Sequence, residues 1–555
     1  MIELKNLFPS QKERWLRKEA KKASPITPTK LKYLLEPFKK GEIPSIVQKS
    51  YELYLKGRII IPGAGEIPKP DMDCLKKGEC EGIPEELVYH LTRLSWLVLP
   101  ALKHHLSPSI ETYQLIKKDL LDWISKNPPL RGIGWENTQD IAIRAATLPL
   151  IYEALGTRAL DDRKFTEKFI HSLMVHYIYL NEFRQGSGLK KFIVLTGLIH
   201  SGVFLRKFSV PTPNFDLIME EFLSSIFDQL DRDGFYNEGS IEAHLFFFEL
   251  SLFTAFLLQK NKYLFGEAWE RIEKQAFIIS ELNSSEGLPR IGTERNLYLF
   301  PFHGLTSNPN FLLSLFYSIR PGERYGAPAV DEVSLFVKPT SGEYRKRGLC
   351  LKKQGLATLI NDKKSMVFSC LATEEGDKLS FSLIVNDLKI ISDPGTYLLS
   401  SPYSREMGST LYHSTVSIDG GDQRQVSPSS RKRLFIMTEC TKTAARGEFR
   451  WPDGVVHSRR IAKTEKGFEI EDEISSERDR EITWAFIFHP EVKIRFEEKG
   501  LILQRNGISV TFKFPGGMKI EVEPIKYSRK YGTLENTTRV IFRRKGKGKF
   551  IFKIE

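Results

Sequence analysis

The chain reads as a multidomain protein of α-then-β class, an all-helical part followed by an all-β part. Three observations carry that reading. Between residues 85 and 325, apolar residues recur at three-to-four spacing in long segments separated by short polar breaks. Past the Pro- and Gly-rich stretch RPGERYGAPAVDEV, which begins at Arg320, short alternating apolar runs take over, with turn residues about every ten positions. At 555 residues the chain is also too long for one compact core, so separate cores are expected.

In chain order, residues 1–84 form a basic, helical leader ending in the loop-like IIIPGAGEIPKPDMDC. Residues 85–325 contain segments such as TQDIAIRAATLPLIYEAL, LKKFIVLTGLIHSGVFL and IEAHLFFFELSLFTAFLL. Several of these are apolar on most sides, which predicts helices packed on two faces. Successive antiparallel helices of this length suit a toroid or an array. Residues 326–555 supply strand-like runs such as KLSFSLIVN, GFEIEDEI, EITWAFIFH and KFIFKIE, the pattern of an antiparallel β-sandwich.

Composition narrows the function. A net charge of +13 and a pI near 9.2 favour an acidic partner: polysaccharide, nucleic acid or anionic membrane surface. No zinc-finger spacing or aromatic-interleaved basic strand accompanies the charge, so nucleic acid is not expected. No run of about 20 apolar residues stands out, so no membrane span is expected. The opening MIELKNLFPSQKERWLRKEAKK lacks a signal-like apolar stretch, which makes a cytoplasmic location the default unless a leader was removed. Five widely spaced cysteines predict reduced thiols, with local pairing of Cys74 and Cys80 as the alternative.

Five segments carry a more specific signal. TEEGDKLSF holds Glu375 and Asp377, DPGTY holds Asp393, and STLYHSTV holds His413. GWENTQDIAIRAATL holds Trp135, Glu136, Asp140 and Arg144. RDGFYNEGSIEAHLFFFEL holds Asp233, Glu238, Ser240, His244 and Glu249. A sixth segment, residues 450–474, pairs HSR with IEDEI. Together, over roughly residues 90 to 500, they resemble the heparinase II/III-like polysaccharide lyases. The matching family blocks read HxD-x-LSF, DPGTY, R-ST-x-HNTV, W-E-N-x-M-E-x-A-x-R and D-G-x-x-x-E-G-S-x-x-Y-H.

The resemblance implies an incomplete (α/α) toroid joined to a β-sandwich, with a cleft between them that acts on acidic polysaccharide. Cleavage of a uronic-acid linkage by β-elimination needs a base at C5, an acid at O4 and a group that neutralises the C6 carboxylate. The family's residues for this work are replaced here. Ala243 stands at the Tyr position, Ser187 and Gly188 at the Asn-His pair, and Gly292, Thr293, Glu294 and Arg295 at a G-D-x-D block.

The remaining candidates for proton transfer and carboxylate recognition are His244, Glu238, Tyr403, Arg405 and Tyr412. Trp135, Glu136, Arg144, Ser187, Lys190 and Asp377 are candidates for holding sugar, with Trp stacking on rings and Arg pairing with carboxylates. The resemblance also implies one divalent metal, zinc or manganese, at Glu375, Asp393 and His413. Two further readings stay open: a glycan-binding or biosynthesis-associated protein without catalysis, and a glycoside hydrolase using paired glutamates.

Overall fold

The computed structural model describes all residues except 1–8, 23, 24, 37–42, 63, 237, 238, 305–307, 321–329, 341, 343, 426–434 and 499. Its first part is helical to Ile319 and its second part is built of antiparallel strands from Leu349 onward.

The helices alternate between two environments. Val98–Leu106, Thr138–Asp161, Gly188–Lys207 and Ile241–Lys260 are buried on nearly every side. The helices that follow them, Ile110–Lys126, Arg163–Glu182, Phe215–Gln229 and Ala268–Leu282, each bury one stripe. In Phe215–Gln229 that stripe is Phe215, Ile218, Phe222, Ser225 and Ile226, the three-to-four spacing of an amphipathic outer helix. An inner layer of apolar helices wrapped by an outer layer of amphipathic ones is the two-layer toroid arrangement. Side-chain oxygens start several of these helices: Asn137, Asp162 and Ser240 accept from backbone N–H groups of the first turn.

Two of the inner helices, Gly188–Lys207 and Ile241–Lys260, have the length and composition of a membrane span, which the sequence reading did not expect. In the fold 78% and 89% of their most apolar windows are buried inside the protein. Their apolarity on all sides follows from being packed on all sides.

The described residues of the segment 1–84 pack against the toroid helices. Leu16, Tyr33, Leu34, Tyr54 and Leu75 enter the same core as the toroid helices. A buried carboxylate fixes part of this attachment: Glu153 accepts the backbone N–H groups of Tyr33 (2.7 Å), Leu34 (2.8 Å) and Leu35 (2.9 Å). The segment also contributes a small hairpin, Arg58–Ile61 with Gly65–Pro68.

The β part contains a five-stranded meander over residues 349–391, an eight-stranded sheet and a four-stranded sheet. The eight-stranded sheet runs from Lys493–Glu497 at one edge to Phe435–Cys440 at the other. Phe381, Phe449, Ile470, Trp484, Phe486, Phe542 and Phe552 fill the core between the layers. Alternation along Phe468–Ser475, with Phe468, Ile470, Asp472 and Ile474 inward, is the period-two signature the sequence carries.

Four cysteines are paired, Cys74 with Cys80 and Cys350 with Cys440, and Cys370 is a buried free thiol. This corrects the expectation of reduced thiols. The second pair joins residues 90 positions apart, which no local spacing reveals.

Two measurements follow. Thiol titration of denatured, unreduced protein should find one reactive group; five would show that neither bond forms. Burial, opposed by the three backbone N–H bonds, pushes Glu153 up to about 7. A carboxyl that holds its proton more tightly when folded loses stability as pH rises from its unfolded range to about 7. The loss is on the order of 3 kcal/mol at about 1.4 kcal/mol per pH unit. Denaturant unfolding of the parent and of Glu153→Gln between pH 4.5 and 7.5 should show a fall larger in the parent by about 3 kcal/mol, since other raised carboxyls contribute to both.

Candidate active site at the domain seam

Three loops of the meander region converge on the helical domain. The first, residues 370–379, joins the strands Lys364–Ser369 and Ser380–Val385 and carries Glu375 and Asp377. The second follows the strand Leu388–Ile391 and carries Asp393. The third is the turn Thr410–Tyr412, which delivers His413 just before the strand Val416–Ile418. The first and third loops touch directly: the Gly376 N–H donates to the Gly408 carbonyl (2.9 Å). A Cβ on Gly376 would lie 2.6 Å from the Thr410 nitrogen, so only glycine allows this approach.

His413 is 1% exposed. Its Nδ1 is 2.5 Å from Asp393 Oδ2, and its Nε2 is 3.8 Å from Glu375 Oε2. Among the described residues Nε2 has no hydrogen-bond partner. Burial would lower the His413 pKa, but Asp393, Asp377 and Glu375 override it and raise it to about 9. Burial, with Asp377 and Asp393 adding to it and His413 opposing, pushes Glu375 up to about 8.

Asp377 is 1% exposed and bonded within the protein. It accepts from Lys378 Nζ (2.9 Å), from the Thr373 hydroxyl and from the Gly292 N–H (3.1 Å). It therefore docks residues 292–295 of the helical domain onto the sandwich. Burial works against its charge, and Lys378 and His413 hold its pKa below the ordinary value. Arg295, exposed on that docked segment, reaches Glu374 (3.3 Å).

Other candidates separate into three groups. Glu136, Ser187 and Lys190 do come together, lining a groove of ≈ 600 Å³ with Lys191 and Gln139 on the helical domain. Trp135 and Arg144 do not reach that groove. Arg144 is fully buried and donates to His176 Nε2 (2.9 Å), the Thr92 carbonyl (2.9 Å) and the Gly134 carbonyl (2.7 Å). Trp135 is packed on His176 and donates to the Asn127 carbonyl (3.2 Å). Both are scaffold, because all the polar atoms they offer are already bound inside the fold.

His244 is likewise interior, with its ring stacked on Phe235 and Nδ1 accepting from the Tyr236 N–H (3.2 Å); burial lowers its pKa to about 3. Tyr412 is buried and donates to Glu406 (2.8 Å), and burial and that carboxylate raise its pKa. Tyr403 and Arg405 are exposed on the short helix Pro402–Met407, which leads into Gly408 beside Glu375. Glu238 lies outside the described residues.

The expected metal ligands are neighbours, but not as three ligands around a point. Asp393 occupies the far ring nitrogen of His413, the position of an orienting partner, which leaves Glu375 and Nε2 as the facing donors. Among the described residues no group of three or more His, Cys, Asp or Glu side chains is placed to hold an ion.

Sequence reasoning passed over the residue that holds the loops in place. Arg459 is fully buried and forms a two-point pair with Asp472 (2.7 and 2.8 Å). Its Nη1 donates to the carbonyls of Leu379 (2.8 Å) and Ser414 (2.7 Å), next to Lys378 and His413. Asp472 also accepts from Trp484 Nε1 (3.0 Å) and lies 2.7 Å from His457 Nε2. The HSR and IEDEI pattern was the available signal.

Residues 350–555 match the family description "Heparinase II/III-like, C-terminal". The C-terminal domain is heparinase II/III-like. A crystal structure of heparinase III superposes with a TM-score of 0.71 at 14% identity, covering 100% of this chain and 91% of that one. A second heparinase III structure gives 0.63 at 15% identity, over 99% and 90%. A heparan sulfate lyase from Pedobacter heparinus gives 0.60 at 15% identity, over 98% and 88%. No curated protein matches the chain. At these identities the likeness establishes the fold: an incomplete toroid followed by a heparinase II/III-like sandwich.

The buried pair makes a stability prediction. Asp472→Asn removes the charge opposite a fully buried guanidinium and should cost about 3–5 kcal/mol. The exposed Asp479→Asn should stay within about 0.5 kcal/mol. Denaturant unfolding of both variants decides it, and equal small losses would refute a central role for Arg459.

Proposed function

We propose that the chain is a polysaccharide lyase that cleaves uronic-acid-containing acidic glycans by β-elimination at the domain seam. One observation carries the reading: Asp393 orients His413 so that Nε2, without a hydrogen-bond partner among the described residues, faces Glu375 at 3.8 Å, the more exposed member of the pair. A carboxyl backed by an aligned imidazole is an arrangement suited to moving a proton.

In the proposed step Glu375, as carboxylate, takes the proton from C5. The electron pair forms the C4–C5 double bond as the C4–O4 bond breaks, and the proton passes to O4. Charge building on the C6 carboxylate is assigned to two exposed guanidinium groups from the neighbouring segments, Arg295, which contacts Glu374, and Arg405 on the short helix that leads into Gly408. The groove with Lys190 and Lys191 supports binding of an acidic chain. Ala243 favours a second reading, a glycan-binding protein without catalysis, because its methyl group cannot transfer a proton.

The deciding assay incubates the protein with a panel of uronic-acid polymers, with EDTA and with added zinc or manganese. It follows the ultraviolet absorbance of the unsaturated product. Elimination should appear and fall about 100-fold or more in Glu375→Gln. New reducing ends without ultraviolet absorbance would indicate hydrolysis. Neither signal, with retained polymer binding, would establish the second reading.

A further inference from the structure

A second cavity, of ≈ 260 Å³, lies between the domains and does not include Glu375, Asp393 or His413 in its lining. Its walls are the first turn of the helix Ile241–Lys260, the segment 286–297, and residues 389, 489 and 527–531 of the sandwich. Leu245, Leu288 and Ile291 give it an apolar side.

The polar side is unbalanced. Its three carboxylates are already engaged: Glu286 is held by Arg505 (2.5 and 2.7 Å) and the Lys389 N–H (2.7 Å), Glu242 accepts the N–H groups of Arg295 (2.6 Å) and Leu297 (3.2 Å), and Glu294 pairs with Arg290 Nε (3.5 Å). Its donors are not fully used. Asn296 is 5% exposed, and its Nδ2 has no hydrogen-bond partner among the described residues. Arg290 Nη1 is in the same condition. Lys389 is 6% exposed, and its Nζ donates to the Glu286 and Leu288 carbonyls (3.1 and 2.7 Å), with no carboxylate in salt-bridge range among the described residues. Buried donors left without acceptors, beside a lysine that no carboxylate contacts directly, ask for a ligand that accepts hydrogen bonds, and the lysine favours a negatively charged one. The volume falls just below the range for drug-sized ligands, about 300–1,000 Å³, which suits one sugar ring and not a chain.

We propose that this cavity binds a single carboxylated sugar, a hexuronate, at a site separate from the proton-transfer pair. The choice of sugar rests on the glycan reading above; the demand for a small anion rests on the cavity alone.

Calorimetric titration of the full chain with sodium glucuronate, glucose and sodium sulfate tests it. One glucuronate should bind per chain, with glucose and sulfate at least tenfold weaker. Asn296→Asp places a like charge in the cavity at nearly unchanged size and should weaken glucuronate at least tenfold. Lys389→Met should do the same, whereas His413→Ala should leave the affinity unchanged. Absent glucuronate binding, binding that survives Asn296→Asp, binding lost in His413→Ala, or sulfate binding as tightly as glucuronate would each overturn the proposal. Glucuronate has no glycosidic bond to cleave, so this result and the ultraviolet assay stand or fall separately.

Discussion

The arrangement of the seam depends on one buried ion pair. Arg459 spends two nitrogens on Asp472 and the third on the carbonyls of Leu379 and Ser414. Those carbonyls flank the loops that carry Asp377 and His413. Apolar packing alone fixes loop positions loosely, because sliding by a fraction of an ångström changes buried area little. A planar guanidinium with fixed donor directions does not slide. The cost of burying it is offset because every nitrogen has an acceptor, and Asp472 is stabilised in turn by His457 and Trp484.

The helical domain uses the same device. Arg144 ties Thr92, Gly134 and His176 together, and Glu249 accepts the N–H groups of Leu299 (2.8 Å) and Phe300 (3.1 Å). These residues, with Trp135, Asp140 and His244, are many of the ones that carry the family resemblance. They are recognisable because they hold the fold, and apart from His244 Nε2, which has no hydrogen-bond partner among the described residues, their side chains are bound within it. The positions where chemistry is expected and altered, Ala243 and Ser187, support no comparable network.

This division explains what was legible in the sequence. Apolar spacing marked the inner and outer helices, and alternation marked the strands, because both report on immediate neighbours along one element. The order of helices before strands was legible from pattern, and the motifs named Glu375, Asp393 and His413 together, though as metal ligands and not as the His413–Asp393 pair facing Glu375 that the fold builds. Arg144 and Trp135 were read as sugar contacts because a sequence does not show which side of a helix meets a second layer. The packing of Leu16, Tyr33 and Tyr54 into the toroid core, and the bond between Cys350 and Cys440, depend on contacts far apart in the chain. The cavity around Asn296 has no motif, since its walls come from both domains.

The two domains also divide the work of the proposed reaction. The groove containing Ser187, Lys190 and Lys191 is built wholly from the helical domain, whereas Glu375, Asp393 and His413 all come from the sandwich. A glycan held by the first and cleaved by the second has to cross the seam. The seam is fastened by directional polar bonds: Asp377 to Gly292, Glu286 to Arg505, and Asp387 to the Ser285 N–H (2.6 Å). Such bonds set the distance between groove and proton-transfer pair more tightly than an apolar interface of similar size. Under the proposed reaction, that fixed separation would favour a chain long enough to occupy both domains over a free disaccharide, which would make substrate length matter alongside charge.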